Sequence, residues 1–299
     1  MAVITSFDPW KSPLCTCPKK YSLSPYTGCA HACIYCYISA YIPDAFKCRV
    51  KKNFIAKLRR DIRRVDPGTH VSMSNSSDPY TPPEDRTQLT RQALQILLAA
   101  GLRVQLITKS NLVVRDTDLI RQGNCSVSMT ITTLNEGATR KLEPYAPSPK
   151  RRLDAVRRLT DEGIPCSVRI DPIIPWINNY DLSEVVEAAS EAGARHVTAS
   201  TYKAKRDSFD RVIHAFPELR ERLSRIYWVH GETLGRARYL PKKLREGVLR
   251  QLKEDVEDCG MTYATCREGF AELNTAETCD GSHLIPIRRT PMEGIKRLN

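Results

Sequence analysis

The sequence predicts an α/β fold built around a parallel β-sheet. Between residues 21 and 203, segments with the residue types of β-strands alternate with segments whose apolar residues recur at helical spacing. Glycines such as Gly101 and Gly193 follow the helical segments and end them. Strands that alternate with helices form βαβ units, which place their strands parallel in one sheet.

Six strands are predicted in this region, with helices between them. The predicted strands span 21–25, 70–74, 103–108, 125–131, 165–170 and 196–200. The predicted helices span 53–65, 87–100, 116–121, 149–162 and 182–192, with Asn53 as the cap of the first. In parallel α/β folds the chemistry lies at the C-terminal ends of the strands. We therefore expect 75–78, 109–110 and 130–133 to form part of a site.

Composition and charge restrict the class of protein. The 299 residues are 41% hydrophobic and 27% charged, with a mean hydropathy of −0.40, as is typical of soluble globular proteins. The sequence has no run of 18 apolar residues, and 1–10 lacks the pattern of a signal peptide. We expect a cytoplasmic protein with no membrane partner. The net charge of +12 suits a nucleic-acid partner, although an ordinary basic surface would give the same value.

Three cysteines lie within eight residues, in the spacing Cys-x3-Cys-x2-Cys. They are Cys29, Cys33 and Cys36, and Gly28 permits a tight turn before them. Clustered thiolates select zinc, copper(I) or iron–sulfur clusters. Three ligands leave one coordination position open for chemistry, whereas a closed structural site uses four. A zinc site with a distant fourth ligand and three buried thiols are the alternatives. The total of eleven cysteines is odd, which argues against complete disulfide pairing.

With Tyr35 and Tyr37 on either side of the last cysteine, this motif resembles the signature of the radical S-adenosylmethionine (SAM) superfamily. The resemblance implies a partial (β/α)6 TIM-type barrel, and a [4Fe–4S] cluster on Cys29, Cys33 and Cys36 whose open iron binds SAM. It also implies reductive cleavage of SAM to a 5′-deoxyadenosyl radical, which abstracts hydrogen from a substrate. The electron would come from a donor of the flavodoxin or ferredoxin type.

Within the superfamily, the chain most resembles the spore photoproduct lyase branch (DNA-repair-photolyase-like proteins). The matching segments are 24–29, 35–37, 78–84, 90–91, 108–110, 115–116, 142–144 and 172–175. By position, the resemblance implies SAM contacts from Ser77 and Lys109, with Ser128 or Thr130 as a third. Tyr35 and Tyr37 match tyrosines that take part in radical return, with simple packing as the alternative role. We treat both as candidate catalytic residues.

The sequence also departs from this branch. Asn75 stands two residues before Ser77, where spore photoproduct lyase has its hydrogen-donor cysteine. The Gly-Gly-Glu motif of the wider superfamily is absent, and 75–78 takes its place, as in the lyase branch. We therefore expect a substrate other than the thymine photoproduct, or net consumption of SAM.

The chain divides into a leader (1–20), expected to pack near the cluster, a radical SAM core (21–203) and a C-terminal extension (204–299). In the extension, 206–225 and 241–259 are predicted helices, with 227–229 as a short strand. Four cysteines lie in the two flanking segments: Cys15, Cys17, Cys266 and Cys279. They would complete a tetrahedral zinc site or hold an auxiliary cluster, or they are two unrelated pairs of free thiols. The other four cysteines, Cys48, Cys125, Cys166 and Cys259, are predicted core or surface thiols.

The densest basic segment is 236–245. Between Arg236 and Lys253, seven Lys and Arg residues face a single acid. Together with Tyr227, Trp228 and Tyr239, this segment could follow a phosphate backbone and stack a base, or it is the solvated face of a helix. Three hypotheses follow: a radical SAM enzyme acting on nucleic acid, the same chemistry on a polypeptide or small metabolite, and a non-enzymatic metal- or nucleic-acid-binding module.

Overall fold

The computed structural model describes residues 2–7, 12–73 and 76–288, so Asn75 lies outside the described residues. An open eight-stranded sheet dominates this part of the chain, and two short two-stranded sheets accompany it. The strands are β1 (Ile4–Ser6), β2 (Tyr21–Leu23), β3 (Tyr26–Thr27), β4 (Arg49–Val50), β5 (His70–Met73), β6 (Arg103–Thr108), β7 (Cys125–Thr130), β8 (Cys166–Ile173), β9 (His196–Thr201), β10 (Glu232–Leu234), β11 (Ala237–Tyr239) and β12 (Thr262–Thr265).

The main sheet confirms the predicted partial barrel. Its order is β1-β2-β5-β6-β7-β8-β9-β12, and the six predicted strands are parallel neighbours in the order of the sequence. Among the described residues, the two edge strands do not pair with each other, so the barrel stays open.

Both edge strands come from segments for which the sequence analysis did not predict strands of the main sheet. In the leader, interpreted as irregular, β1 pairs antiparallel with β2. From the extension, β12 adds a seventh parallel strand beside β9. The extension is thus mainly helical but completes the sheet of the core.

No helix in the described part of the chain is long and apolar enough to span a bilayer. The helices cover the outer face of the sheet. They are α1 (Phe54–Asp61), α2 (Glu84–Thr87), α3 (Leu89–Ala99), α4 (Thr117–Gln122), α5 (Glu136–Leu142), α6 (Pro149–Asp161), α7 (Leu182–Glu191), α8 (Arg206–Ala215), α9 (Arg220–Ser224) and α10 (Lys242–Asp258).

Several predicted helix boundaries were wrong for local backbone reasons. Asn53 has φ +55° and its side chain does not cap α1. Gln88 has φ +50° and divides the predicted helix 87–100, so that α2 ends before it and α3 starts after it. Pro217 opens a separate 3₁₀ turn between α8 and α9, which divides the predicted helix 206–225. Helix α5 was not predicted.

The predicted strand 227–229 was also wrong. Arg225–Val229 forms a wide π-helical turn that continues α9, and Tyr227 is fully buried there. Bulky Tyr, Trp and Val favour strands in general, but tertiary packing decided the conformation here. The strands of this region are β10 and β11, which form an antiparallel hairpin.

The main sheet has one apolar face and one polar face. Alternate residues such as Val104, Leu106 and Val127 are buried in the large apolar core that the sheet forms with the helices. The residues between them are polar: Gln105, Ser126, Ser128, Ser167, Arg169, His196 and Thr198. Register pairs Ser128 with Ser167 and Arg169 with Thr198, so these side chains share the inner face of the half barrel. Parallel sheets are usually apolar on both faces, so this polar face indicates a site.

A C-terminal segment, Cys279–Leu284, covers part of the inner face. Gln105 Nε2 donates to the Asp280 carbonyl, and Thr198 Oγ1 donates to the Cys279 carbonyl at 3.0 Å. The buried ammonium of Lys20 pairs with the Asp280 carboxylate. This segment therefore occupies the inner face near the N-terminal ends of β6 and β9. The C-terminal ends of the strands remain for the site described next.

Candidate active site

The three clustered cysteines lie on a loop held from several sides. Strands β3 and β4 pair antiparallel and close the base of this loop. The Cys29 amide donates to the Ala45 carbonyl at 2.8 Å, and the Ile34 amide donates to the Leu142 carbonyl at 2.9 Å. Gly28 has φ +75°, and a Cβ there would lie 2.4 Å from the Lys47 carbonyl oxygen, so only glycine fits. The loop is therefore fixed by backbone contacts.

The thiols of this loop receive hydrogen bonds from main-chain amides. The amides of Asp78 and His31 donate to Cys29 Sγ, and burial raises the pKa of this thiol to about 12. Cys33 is buried, which raises the pKa of its thiol well above the usual value, and the positive charge of Lys109 opposes this rise. Hydrogen-bond donors and a cation around sulfur stabilise the thiolate, which is the form that binds metal.

Glu143 is the electrostatic centre of the site. Its buried carboxylate pairs with the guanidinium of Arg152 and accepts a hydrogen bond from the Tyr35 hydroxyl. Lys109 Nζ lies 3.9 Å from Glu143 Oε1 and 5.6 Å from the centre of the Tyr35 ring. Burial alone would raise the pKa of Glu143, but Arg152 and Lys109 outweigh burial and hold it below its usual value. The sequence analysis marked 142–144 as a match but gave Glu143 no role.

Asp78 connects the cysteine loop to the end of β6. Its carboxylate accepts hydrogen bonds from the Lys109 amide at 2.7 Å and from Thr108 Oγ1 at 2.6 Å. His31 Nε2 lies 3.4 Å from Asp78 Oδ2, and His31 Nδ1 lies 3.2 Å from the Tyr145 carbonyl oxygen. His31, to which the sequence gave no role, thus links the cysteine loop to two of the loops that follow the strands.

Two serine hydroxyls at this end of the sheet are buried without a partner. Ser77 Oγ and Ser128 Oγ make no hydrogen bond to any described residue, and their side chains are 1% and 0% exposed. An unpaired buried hydroxyl costs free energy, so such groups point to a polar ligand. Thr130, two residues after Ser128 on β7, is also buried. Its carbonyl accepts a hydrogen bond from Arg152 Nη1 at 3.0 Å.

The sequence-predicted residues thus occupy one end of the half barrel. Lys109 and Tyr35 meet at Glu143, while Ser77, Ser128 and Thr130 are buried where the strands end. Tyr37 lies beside the loop and stacks on Tyr41, with ring centres 6.1 Å apart. The two tyrosines therefore differ in their surroundings, since the Tyr35 hydroxyl donates to Glu143 and the Tyr37 ring stacks on Tyr41.

A second group of charges, which the sequence analysis missed, lines the inner face beside this site. Arg169 Nη2 lies 2.9 Å from Asp171 Oδ2, and Lys203 Nζ lies 2.8 Å from Glu268 Oε1. Burial alone would raise the pKa of Asp171, but Arg169 and then Lys203 hold it low, and Lys109 contributes. Charged side chains therefore continue from Lys109 along the inner face of the barrel. Only the alternation within β8 gave a signal for Arg169 and Asp171.

The four flanking cysteines come together on the inner side of the barrel. Cys279 Sγ lies 3.5 Å from Cys17 Sγ, and Cys15 and Cys17 are hydrogen-bonded through their side chains. Cys266 is close enough to interact electrostatically with the other three. By contrast, Cys125 and Cys166 are core thiols on the apolar face, in agreement with expectation.

Neither cysteine group has the geometry of a finished single-ion site. Within the described ranges, no three His, Cys, Asp or Glu side chains are arranged to hold one metal ion. In a [4Fe–4S] cluster the cysteines bind different irons, so its ligands stand further apart than the ligands of one ion. The donor set of Cys29, Cys33 and Cys36 fits such a cluster in chemistry and leaves one iron open.

The basic segment 236–245 is less uniform than the sequence suggested. Arg236, Lys242 and Lys243 are exposed, but Arg238 and Arg245 are used within the fold. Arg238 donates to three carbonyls of 227–231, and Arg245 pairs with Glu232 and Glu268. Tyr227 and Tyr239 are 0% and 2% exposed, so the prediction that they stack on a base was wrong. Burial in the core, which the aromatic composition does not reveal, is the reason.

The chain is similar to a known protein superfamily and to several curated proteins. The model of the radical SAM superfamily matches residues 23–189, which include the cysteine loop and the ends of β5 to β8. An uncharacterised protein of Mycobacterium tuberculosis is 28% identical over 249 residues, covering 77% of this chain and 71% of that protein. A protein of Pseudomonas phage M6, named a radical SAM Nalpha-GlyT isomerase, is 22% identical over 294 residues, or 90% of this chain and 61% of that protein.

Among solved structures, the fold resembles spore photoproduct lyase. A complex of that enzyme with dinucleoside spore photoproduct superposes with a TM-score of 0.60 at 18% identity. The alignment covers 80% of this chain and 72% of the lyase. At 18% identity, this similarity shows a shared fold and does not by itself assign a reaction.

Proposed function

The chain belongs to the radical SAM superfamily, and on this basis we propose that it is a radical SAM enzyme that acts on nucleic acid. The observation that carries the proposal is the meeting of Cys33, Lys109 and Glu143 at the C-terminal end of the half barrel. Membership of the superfamily implies a [4Fe–4S] cluster and SAM. A one-electron donor of the flavodoxin or ferredoxin type is part of the proposal.

Each side chain of the site has a proposed task. Cys29, Cys33 and Cys36 hold the cluster, and the hydroxyls of Ser77 and Ser128 contact SAM. When bound, the cluster and SAM would supply one-electron cleavage of SAM, which produces an organic radical able to abstract hydrogen from a substrate.

The side chains around the cofactors set their environment. Lys109 carries the positive charge suited to the SAM carboxylate, and Thr130, at the end of β7, is a further candidate contact. Arg152 and Glu143 exclude bulk water from the side of α6, and the Tyr35 hydroxyl, held by Glu143, is the candidate for proton or hydrogen transfer. Tyr37 is retained as a candidate because it adjoins Cys36.

Three observations support nucleic acid as the substrate class. The chain carries a net charge of +12, and Arg236, Lys242 and Lys243 are exposed on the hairpin β10–β11 and the first turn of α10. The solved enzyme of similar fold was captured with a dinucleoside. The charged side chains of Asp171 and Lys203 on the inner face offer hydrogen bonds to a polar base inside the barrel.

Removing the unpaired hydroxyls is expected to weaken SAM binding without weakening the fold. Because neither hydroxyl has a partner among the described residues, Ser77→Ala and Ser128→Ala should leave the free energy of unfolding unchanged or slightly higher. We expect each to raise the dissociation constant of SAM about 2- to 10-fold, the effect of one lost hydrogen bond. Equilibrium binding of SAM and urea unfolding would measure the two effects. Ser126→Ala, two residues earlier on β7, is the matched control, and equal weakening by all three changes would contradict the assignment.

Neutralising the exposed basic residues is expected to reduce binding to DNA or RNA. For Arg236→Ala/Lys242→Ala/Lys243→Ala, the negative slope of log binding constant against log salt concentration should become shallower by roughly one to three units, because fewer counterions are released. Fluorescence anisotropy with labelled oligonucleotides at several salt concentrations would measure this slope. Lys150→Ala/Arg157→Ala/Arg158→Ala, on the exposed face of α6, removes the same charge elsewhere. Identical slopes for the two triple variants would argue against the proposed surface.

The proposed function is tested by the substrate dependence of SAM cleavage. The reconstituted enzyme, a chemical reductant and SAM would be incubated with single-stranded DNA, RNA, duplex DNA or a mixed peptide pool. We expect 5′-deoxyadenosine formation to rise with a nucleic acid. We also expect deuterium to pass from a deuterated nucleic acid into 5′-deoxyadenosine, or from deuterated SAM into the nucleic acid. A rise with peptides alone would replace nucleic acid by a polypeptide substrate. Absence of SAM cleavage under all conditions would reject the enzyme class.

A further inference from the structure

Cys15, Cys17, Cys266 and Cys279 form a second group of thiols, outside the cluster loop. They come from two segments that lie about 250 residues apart in the sequence and meet on the inner side of the half barrel. We propose that these four cysteines bind a single zinc ion as a structural tetrathiolate site. The site is separate from the proposed SAM chemistry and does not depend on it.

Distance favours one ion shared by the four thiols. Cys17 Sγ and Cys279 Sγ lie 3.5 Å apart. Two ligands of a tetrahedral zinc ion with Zn–S bonds of about 2.3 Å stand about 3.8 Å apart, so this pair already has the spacing of one tetrahedral edge. Cysteines that hold a [4Fe–4S] cube bind different irons and need a wider separation. In the described residues the thiols do not yet converge on one point, so metal binding requires Cys15 and Cys266 to move toward the Cys17–Cys279 pair.

Three of the four ligands are held by main-chain contacts that do not involve a metal. The Cys266 amide donates to the Ala199 carbonyl at 2.8 Å, and the Cys279 carbonyl accepts from Thr198 Oγ1 at 3.0 Å, so both ligands are fixed to β9. The Cys15 amide donates to the Ser12 carbonyl at 3.1 Å. The fold therefore brings the main chain of these cysteines close together before any metal binds, which lowers the entropic cost of zinc binding.

The surroundings suit a negatively charged metal–thiolate group. Lys20 is buried and interacts electrostatically with Cys17 and Cys279. The charge of Arg169 acts on Cys266. Charge-assisted donors to thiolate sulfur are typical of second-sphere contacts in metal sites. On binding, each thiol gives up its proton, so zinc uptake releases protons and is stronger at higher pH.

A zinc ion here would join the leader to the extension across the inner face of the barrel. The Lys20–Asp280 ion pair lies directly beside this junction. The tetrathiolate leaves no coordination position for a substrate, so the ion has a structural role.

Metal analysis separates this site from the cluster. In the Cys29→Ala/Cys33→Ala/Cys36→Ala background, which lacks the proposed cluster ligands, we expect about one zinc and almost no iron per chain. Adding Cys17→Ser or Cys279→Ser should remove the zinc, whereas Cys259→Ser, a thiol at the end of α10, should not. Iron in place of zinc, or zinc that persists in the Cys17 and Cys279 variants, would overturn the assignment.

A second measurement needs no variant and so does not depend on the folding of one. The wild-type holoprotein would be alkylated before and after treatment with a zinc chelator, and the labelled cysteines would be identified by mass spectrometry. We expect Cys15, Cys17 and Cys266 to be labelled only after chelation, while Cys259 is labelled in both samples. Labelling of Cys15 and Cys17 as fast as Cys259 before chelation would reject the site. Neither result depends on whether the protein cleaves SAM.

Discussion

Replacing Cys29, Cys33 and Cys36 together by alanine is expected to abolish 5′-deoxyadenosine formation and to remove the iron of the cluster. The chemistry resides in the cofactors, and the one further thiol of this loop, Cys48, cannot replace three thiolates. Iron analysis after anaerobic reconstitution should fall from about four atoms per chain to nearly none. The visible absorption of the cluster should disappear in parallel.

The same preparation provides the control for this prediction. Cys125→Ala/Cys259→Ala removes one thiol from the apolar face of the sheet and one from the end of α10, and neither touches the cysteine loop. We expect this variant to keep its iron and its SAM cleavage. Iron that persists in the triple variant, or SAM cleavage without the three thiols, would show that the cluster is held elsewhere.

Arg152→Met is expected to lower the free energy of unfolding by about 3–5 kcal/mol, because it leaves the Glu143 carboxylate buried without its main partner. Arg152 and Glu143 are both 1% exposed, and the Arg152 guanidinium also donates to the carbonyls of Thr130 and Pro147. Lys109, 3.9 Å from Glu143, compensates only in part. Urea unfolding followed by circular dichroism would measure the loss.

The neighbouring residue supplies the matched control. Arg151 lies on the exposed face of the same helix, and Arg151→Met should change stability by less than about 0.5 kcal/mol. Combining Arg152→Met with Glu143→Gln removes the unpaired charge and should recover part of the stability. If Arg152→Met cost no more than Arg151→Met, Glu143 would not depend on this ion pair.

The fold could be predicted because its signals are local. Each strand of the core carries its own pattern, and Gly101 and Gly193 mark helix ends. The helix breaks at Gln88 and Pro217 were missed because each depends on one residue. Gln88 has a positive φ, and Pro217 lacks a backbone N–H. Strand β12 could not be foreseen, since its partner β9 lies more than 60 residues away and its four residues form no clear pattern.

The site was predicted where a motif fixes the chemistry and missed where the fold creates it. Cys29, Cys33 and Cys36 follow from spacing alone. Glu143 acquires its role only because α6 brings Arg152 beneath it and β6 brings Lys109 beside it. The burial of Tyr227 likewise depends on the packing of α8 against the turn after α9, which residue types do not reveal.

The cover formed by Cys279–Leu284 over the inner face has a consequence for synthesis on the ribosome. Strands β2 to β9 are complete once Thr201 has been made, yet the segment that covers Gln105 and Thr198 follows only with Asp280. At about 5–20 residues per second, this interval lasts several seconds. During this time the nascent half barrel presents a hydrated polar groove, whose closure waits for the Lys20–Asp280 contact.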